Sequence, residues 1–215
     1  MKKKKICIAL GLLSSFVLWT IAINLIDVQP IGPQEATVGF ATLNSIVHRL
    51  TGVHIQLYTI TDWLGLVPVV FVFGFAFLGL AQWIKRKSIL KVDRSILILG
   101  AFYIVTLAAY IFFESYVINY RPVLIEGSLE ASYPSSTTLL VLCVMPTARM
   151  QLHGRIQNSA LRKAVTVAIT SYIVFMVAGR LLSGVHWLTD IIGGILLSAG
   201  LVMIYDSLIG GKIHG

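Results

Sequence analysis

The stretch Arg180-Leu181-Leu182-Ser183-Gly184-Val185-His186-Trp187-Leu188-Thr189-Asp190 joins two long apolar runs, residues 164–182 and 187–205. A membrane-crossing helix rises about 1.5 Å per residue and takes roughly 20 apolar residues. The two runs therefore read as a pair of spans joined by a short turn. Arg, His and Asp are costly beside hydrocarbon, so ionisable residues there mark a functional site by default. With a helix from Trp187 onward, His186 and Asp190 fall at i and i+4 on one face, within contact range. A carboxylate beside an imidazole fixes its tautomer and leaves the other ring nitrogen free to attack an electrophile. The guanidinium of Arg180 matches the fork geometry of a phosphate. Together these residue types point to nucleophilic attack on phosphorus at a membrane surface.

The rest of the chain agrees with a membrane setting. Of 215 residues, 57% are hydrophobic and 12% charged, and the mean hydropathy is +0.86. Soluble domains rarely reach that composition. Six stretches fit or nearly fit a span: 6–25, 63–84, 95–113, 137–147, 164–182 and 187–205. The fourth is short, and its helix is expected from near Ser135 to about Arg149. The expected fold is all-α, a single membrane domain over residues 1–215 built as a six-transmembrane-helix bundle.

The net charge of +8 and the pI near 9.7 invite a nucleic-acid reading, which the distribution of charge excludes. Every basic residue except Arg49, Arg121 and Arg180 falls in segments 2–5, 85–94, 149–163 and 212, all on one side of a six-span topology. All the acids but Asp93 and Asp206 fall on the other. This positive-inside bias predicts a multi-pass protein with both termini cytoplasmic and the 180–190 turn facing outward. The composition fits a bacterial inner (cell) membrane. The short basic loops are expected to contact anionic lipid headgroups.

Segment 26–62 is the longest non-spanning piece. It opens with turn residues Asp27, Pro30, Gly32 and Pro33. Ala36, Phe40, Leu43, Val47 and Leu50 then recur at helical spacing, with Thr42, Asn44, Ser45, His48 and Arg49 between them. That pattern predicts an amphipathic, extracytoplasmic interfacial helix between helices 1 and 2. His48 and His54 read as polar interface residues and His153 as a cytoplasmic loop residue. No carboxylate cluster has metal-ligand spacing. Cys7 and Cys143 lie in separate apolar spans and read as buried structural thiols. The Lys-rich start followed by a full-length apolar run, with no small-residue cleavage site, reads as an uncleaved first helix. Trp187, Tyr120 and Tyr133 read as interfacial anchors, and Gly193-Gly194 as a close helix contact.

Three short segments converge on the outer side: Asn119-Tyr120-Arg121-Pro122, Tyr133-Pro134-Ser135-Ser136-Thr137-Thr138 and the 180–190 turn. In order and placement, over about residues 95–205, they resemble the phosphatidic-acid phosphatase type 2 superfamily of six-span lipid phosphatases. That family carries Lys-x6-Arg-Pro, then Pro-Ser-Gly-His, then Ser-Arg-x5-His-x3-Asp. Arg180, His186 and Asp190 reproduce the third spacing, with Gly179 in place of Ser. Arg121-Pro122 matches the first pattern, but Glu114 stands where the family has Lys. Pro134-Ser135 matches the second, but Ser136 replaces Gly and Thr137 replaces His.

The resemblance implies a metal-independent, cofactor-free phosphatase acting on a lipid phosphate. His186 would be the catalytic nucleophile that forms a phosphohistidine, and Asp190 its orienting partner. Arg121, Arg180, Ser135 and Ser136 would hold the phosphate. The family's second-motif histidine protonates the leaving oxygen, a role for which Thr137 is poorly suited at neutral pH. General-acid help is worth about 10²–10⁴-fold. An alkoxide leaving from a lipid monophosphate needs that proton far more than a phosphate monoester leaving from a diphosphate. The expected substrate is therefore a polyprenyl diphosphate resembling undecaprenyl diphosphate, ahead of phosphatidic acid. Glu114 and Thr137 are the candidates for a substitute acid or a salt-bridge partner. Two alternatives stand beside this reading: a lipid phosphotransferase on the same scaffold, and a non-catalytic phospholipid-binding relative. Apart from membrane lipids and this substrate no partner is implied, and the sequence leaves the oligomeric state open.

Overall fold

The computed structural model describes residues 2–210; Lys212, expected on the basic side, lies outside them. Among the described residues the fold is all-helical, with only isolated β-bridges outside the helices. Five helical segments among the described residues are long and apolar enough to cross a membrane. They are α1 (Lys2–Leu25), the broken pair α3 (Ile55–Leu64) and α4 (Leu66–Arg86), α5 (Arg94–Ser115), α7 (Ser159–Leu182) and α8 (Leu188–Ile209). The broad apolar surface left exposed on these helices (Leu18, Phe73, Phe77 and Ile104 among them) identifies a membrane protein.

The stretch expected as the fourth span forms α6 (Ser136–Arg155), which starts where expected and runs six residues further. It is more polar than the other long helices and packs against α4, α5, α7 and α8. Thr138, Thr147 and Gln151 are buried on it, which explains why its apolar run looked short. The second expected span begins earlier than residue 63. Its helix starts at Ile55 and breaks at Gly65, between α3 and α4. Pro68 in the first turn of α4 has no N–H to donate to the Leu64 carbonyl, so the two helices cannot fuse into one regular ladder.

α1 lies along α8, tied by Lys5 to Asp206 at 2.5 Å at one end and by Trp19 Nε1 to the Thr189 carbonyl at 3.1 Å at the other. Glycines on α8 permit close approach both to α1 and to Tyr133. A Cβ on Gly200 would meet Leu13 at 2.7 Å, and one on Gly193 would meet the Tyr133 ring at 2.5 Å. The close contact expected at Gly193-Gly194 is therefore made by Tyr133 and Thr138. The basic end is laced together. Asp93 accepts from Gln82 at 2.7 Å and from Arg86 at 2.9 Å, with Arg155 at 3.6 Å, and Gln151 bonds Tyr205.

The helix expected in the 36–50 region forms as α2 (Ala41–Thr51), but its inward face is the polar one. Asn44 is buried, donating to the Gly39 carbonyl and Thr189 Oγ1, while Leu43, Ile46 and Leu50 are exposed. His48 Nε2 lies 3.1 Å from the Gly184 carbonyl. The turn joining α7 and α8 offers polar groups, and α2 answers with its own. Two other expectations also change. Trp187 and Tyr133 are buried rather than interfacial, because their polar tips find partners in the protein: Trp187 Nε1 donates to the Tyr120 carbonyl, and the Tyr133 hydroxyl bonds Thr20. Cys143 is buried as expected, whereas Cys7 is exposed on α1.

Candidate active site

At the end of the bundle away from the basic loops, three pieces of chain meet beneath α2 and α3. The first is a loop, residues 119–132, folded back on itself. Tyr120 bridges Ala131, the Arg121 N–H donates to the Glu130 carbonyl at 3.0 Å, and the Ser132 N–H donates to the Asn119 carbonyl at 2.9 Å. Its tip turns at Glu126 and Gly127, both with positive φ. The second is the N-terminus of α6, where the Ser135 N–H is taken by the Asp190 carbonyl at 3.2 Å. That N–H is therefore spent inside the protein, whereas the Ser135 Oγ is buried without a partner. The third is the α7–α8 turn. It reverses at Gly184, whose φ of +69° and close approach to Gly52 (1.9 Å from an added Cβ to the Gly52 carbonyl oxygen) leave room only for glycine.

The sequence-predicted residues Arg121, Ser135, Arg180, His186 and Asp190 converge and are all buried, His186 being only 3% exposed. His186 Nε2 faces Arg180 Nη2 at 3.2 Å. Its Nδ1 is 3.9 Å from Asp190 Oδ2, too long for a hydrogen bond. Ser132 fills that gap, with its Oγ 3.0 Å from His186 Nδ1 and 2.5 Å from Asp190 Oδ2. Asp190 also accepts from the Trp187 N–H at 2.9 Å, which caps α8, and from Asn119 Nδ2 at 3.3 Å. Burial, then the Arg180 and Arg121 charges, hold the His186 pKa well below the ordinary imidazole value. The ring is therefore neutral at pH 7, as a nucleophile must be.

The two guanidiniums share an environment that the motifs did not foretell. Both stack over the Tyr58 ring of α3, at 5.0 Å from Arg180 and 5.7 Å from Arg121. Arg180 Nη1 reaches Thr61 Oγ1 at 3.5 Å and Asp62 Oδ1 at 3.6 Å. Arg121 Nε lies 3.1 Å from Glu130 Oε2, close enough for charge attraction but without hydrogen-bond alignment. Arg121 Nε and Nη1 and Arg180 Nε are thus buried donors with no directed acceptor. Desolvated guanidinium donors of this kind suit a tetrahedral anion. Gly179, standing where the family pattern has Ser, admits α3: a Cβ there would meet Thr61 Cγ2 at 2.7 Å.

Ser136 and Thr137 are half-buried on the first turn of α6, with Thr137 Cγ2 near the Gly65 break. Glu114 is exposed and lines a small cavity with Tyr110, Ser136 and Tyr133. The acids within 4 Å of the arginines are Asp62 and Glu130. Among the described residues no group of three or more His, Cys, Asp or Glu side chains is arranged to hold a metal. Sequence reasoning missed Tyr58, Thr61, Asp62, Asn119, Glu130 and Ser132. The i, i+3, i+4 spacing of Tyr58, Thr61 and Asp62 was the available sign that one face of an apolar helix is polar.

No curated protein matches the chain in sequence. In structure it is similar to a transmembrane PAP2-type phosphatidylglycerolphosphate phosphatase from Bacillus subtilis, with a TM-score of 0.58, 18% identity, and 93% of each chain covered. At that identity the likeness speaks for the fold. Residues 112–209, which hold all three motifs and every buried group at the His186 centre except those of α3, match the PAP2 superfamily model. The matched stretch runs from the end of α5 through α8.

Proposed function

We propose that the protein is a lipid phosphatase that transfers a phosphoryl group to His186 and then to water. The observation that carries this reading is the buried imidazole with Nε2 against Arg180 and its far side tied to Asp190 through Ser132. The substrate phosphate takes the place of Asp62 and Glu130 on the two guanidiniums, with the Ser135 hydroxyl as a further donor. Nε2 attacks phosphorus in line, the bond to the leaving oxygen breaks, and Arg121 and Arg180 stabilise the charge on the equatorial oxygens. Water then attacks the phosphohistidine, and the nitrogen recovers its electron pair as phosphate departs.

The lipid is a polyprenyl diphosphate in preference to a monophosphate, because Thr137 offers no acid for a poor leaving group. In this reading α6 is the fourth of six spans, α2 lies at the outer interface, and both termini are cytoplasmic in a bacterial inner membrane. The His186 turn lies at the end opposite the basic loops, which agrees with that orientation. A non-catalytic lipid-binding relative is the second reading, favoured by Glu114 and Thr137 at two positions where the superfamily pattern has Lys and His.

Phosphate release by the purified protein from a panel of lipid phosphates, without added acceptor, tests both. The expected result is release from polyprenyl diphosphate exceeding that from phosphatidic acid, abolished by His186→Ala. Preference for phosphatidic acid rejects the substrate class. Release only when an acceptor alcohol is added points to a phosphotransferase, and no release under either condition leaves the binding reading.

A further inference from the structure

We propose that Ser132 is the positioning residue that sets the His186 tautomer, passing the pull of the Asp190 carboxylate to Nδ1 across a gap the carboxylate cannot bridge alone. This inference deepens the phosphotransfer reading and rests on it for its catalytic consequence. A hydroxyl has one hydrogen to give. Asp190 Oδ2, at 2.5 Å, is an acceptor when ionised and takes that hydrogen. The Ser132 Oγ can then only accept from His186 Nδ1 at 3.0 Å, which requires the proton on Nδ1. The opposite edge of the ring agrees with this assignment, but one donor at 3.2 Å does not hold the proton on Nδ1 once the Ser132 acceptor is lost. Arg180 Nη2 has only hydrogens to offer, so Nε2 at 3.2 Å must present its lone pair. Two independent contacts thus leave the nucleophilic electron pair on the nitrogen beside the phosphate-binding guanidinium.

The chain holds Ser132 in place for this. Its N–H is bonded to the Asn119 carbonyl at 2.9 Å, and the Asn119 side chain in turn reaches Asp190 Oδ1 at 3.3 Å. The loop therefore brings one hydroxyl and one amide onto a single carboxylate. When the Nε2–P bond forms and the bond to the leaving oxygen breaks, the ring becomes cationic. The Nδ1 proton stays where it is, its hydrogen bond to Ser132 strengthens, and the charge is balanced by Asp190 through the hydroxyl. Hydrolysis reverses this without moving the Nδ1 proton.

The test uses full-length protein with ¹⁵N-labelled histidine in lipid nanodiscs, with His186→Ala identifying the signals of the ring. Wild type is expected to show the Nδ1–H tautomer. Ser132→Ala is expected to mix the tautomers and to lower kcat about 10–100-fold, the usual loss when the group holding an imidazole's far nitrogen is removed. KM is expected to stay within threefold. Ser132→Thr, which keeps the hydroxyl, is expected to restore both the tautomer and the rate. An Nε2–H tautomer in wild type overturns the proposal whether or not the alanine variant folds. So does an unchanged tautomer in Ser132→Ala, or a lowered rate that Thr does not rescue. Because the tautomer is read without turnover, a wild-type protein with the Nδ1–H form and no phosphate release would sink the phosphatase reading and leave the Ser132 relay standing.

Discussion

Arg180→Lys separates a guanidinium used in chemistry from a buried cation used in packing. Arg180 is 1% exposed, touches His186 and Thr61 through different nitrogens, stacks on Tyr58 and has an unpartnered Nε. Lysine keeps the charge and its attraction to Asp62 but presents one nitrogen where arginine presents a planar fork. It cannot meet the imidazole edge and two phosphate oxygens together. Losing one preorganised donor to transition-state charge costs roughly 3–4 kcal/mol, or about 10²–10³ in kcat. The ion pair and aromatic contact are largely kept, so folding should change much less, by about 1 kcal/mol. Steady-state phosphate release measures the first effect and thermal unfolding in detergent the second. A kcat within threefold of wild type would show that the fork is structural, and the assignment of Arg180 to the phosphate would be wrong.

The low His186 pKa sets a pH dependence. The charged groups around the ring are Arg180 of α7, Arg121 of the loop and Asp190 of α8, with Asp62 of α3 and Glu130 of the loop set against the two arginines; burial is the main cause of the shift and the arginines add to it. The folded pKa lies below the unfolded one, so the unfolded chain binds the extra proton first. The contribution of His186 to stability is therefore complete above about pH 6.5 and declines as pH falls below it. The acid limb of kcat/KM, which reports the free enzyme, should lie below pH 6.5, and a limb at or above that value would contradict the burial argument. Thr137→His should raise lipid monophosphate turnover by up to about 10²-fold and diphosphate turnover much less; equal gains would remove the leaving-group argument. Glu114→Gln should leave turnover within threefold, because Asp62 and Glu130 are the acids on the arginines; a larger loss would return Glu114 to the role of acid. Gly184→Ala should destabilise the protein by at least about 2 kcal/mol in equilibrium unfolding, since it combines positive φ with a collision against Gly52. A neutral result would mean that the turn is looser than the contact implies.

The residues legible in the sequence were those whose meaning is local. Arg180, His186 and Asp190 announce themselves by spacing within one turn between two apolar runs, and Arg121-Pro122 and Pro134-Ser135 by short patterns at span ends. Tyr58 and Asp62 lie on the polar face of an otherwise apolar helix and Asn119 and Ser132 in a loop without periodicity, and only tertiary packing shows that these groups meet the motif residues. α2 shows a related limit. Its amphipathic pattern was plain, yet which face turns inward depends on the carbonyl of Gly184 and the hydroxyl of Thr189, both more than 100 residues away in the chain. In a lipid-facing protein the apolar side need not be the buried side. The polar α6 is the counterpart: its buried Thr138, Thr147 and Gln151 shortened the apparent span, although the helix is continuous.

The most direct test of the central idea is covalent. Brief mixing of the purified protein with terminally ³²P-labelled polyprenyl diphosphate, followed by alkaline quench, should trap a label that survives base and is lost in acid, as expected of a phosphoramidate. It should be absent from His186→Ala and should map to the peptide containing residue 186. A label of the same strength in His186→Ala, or rapid phosphate release by wild type with no trapped label in the presteady state, would contradict nucleophilic attack by this imidazole.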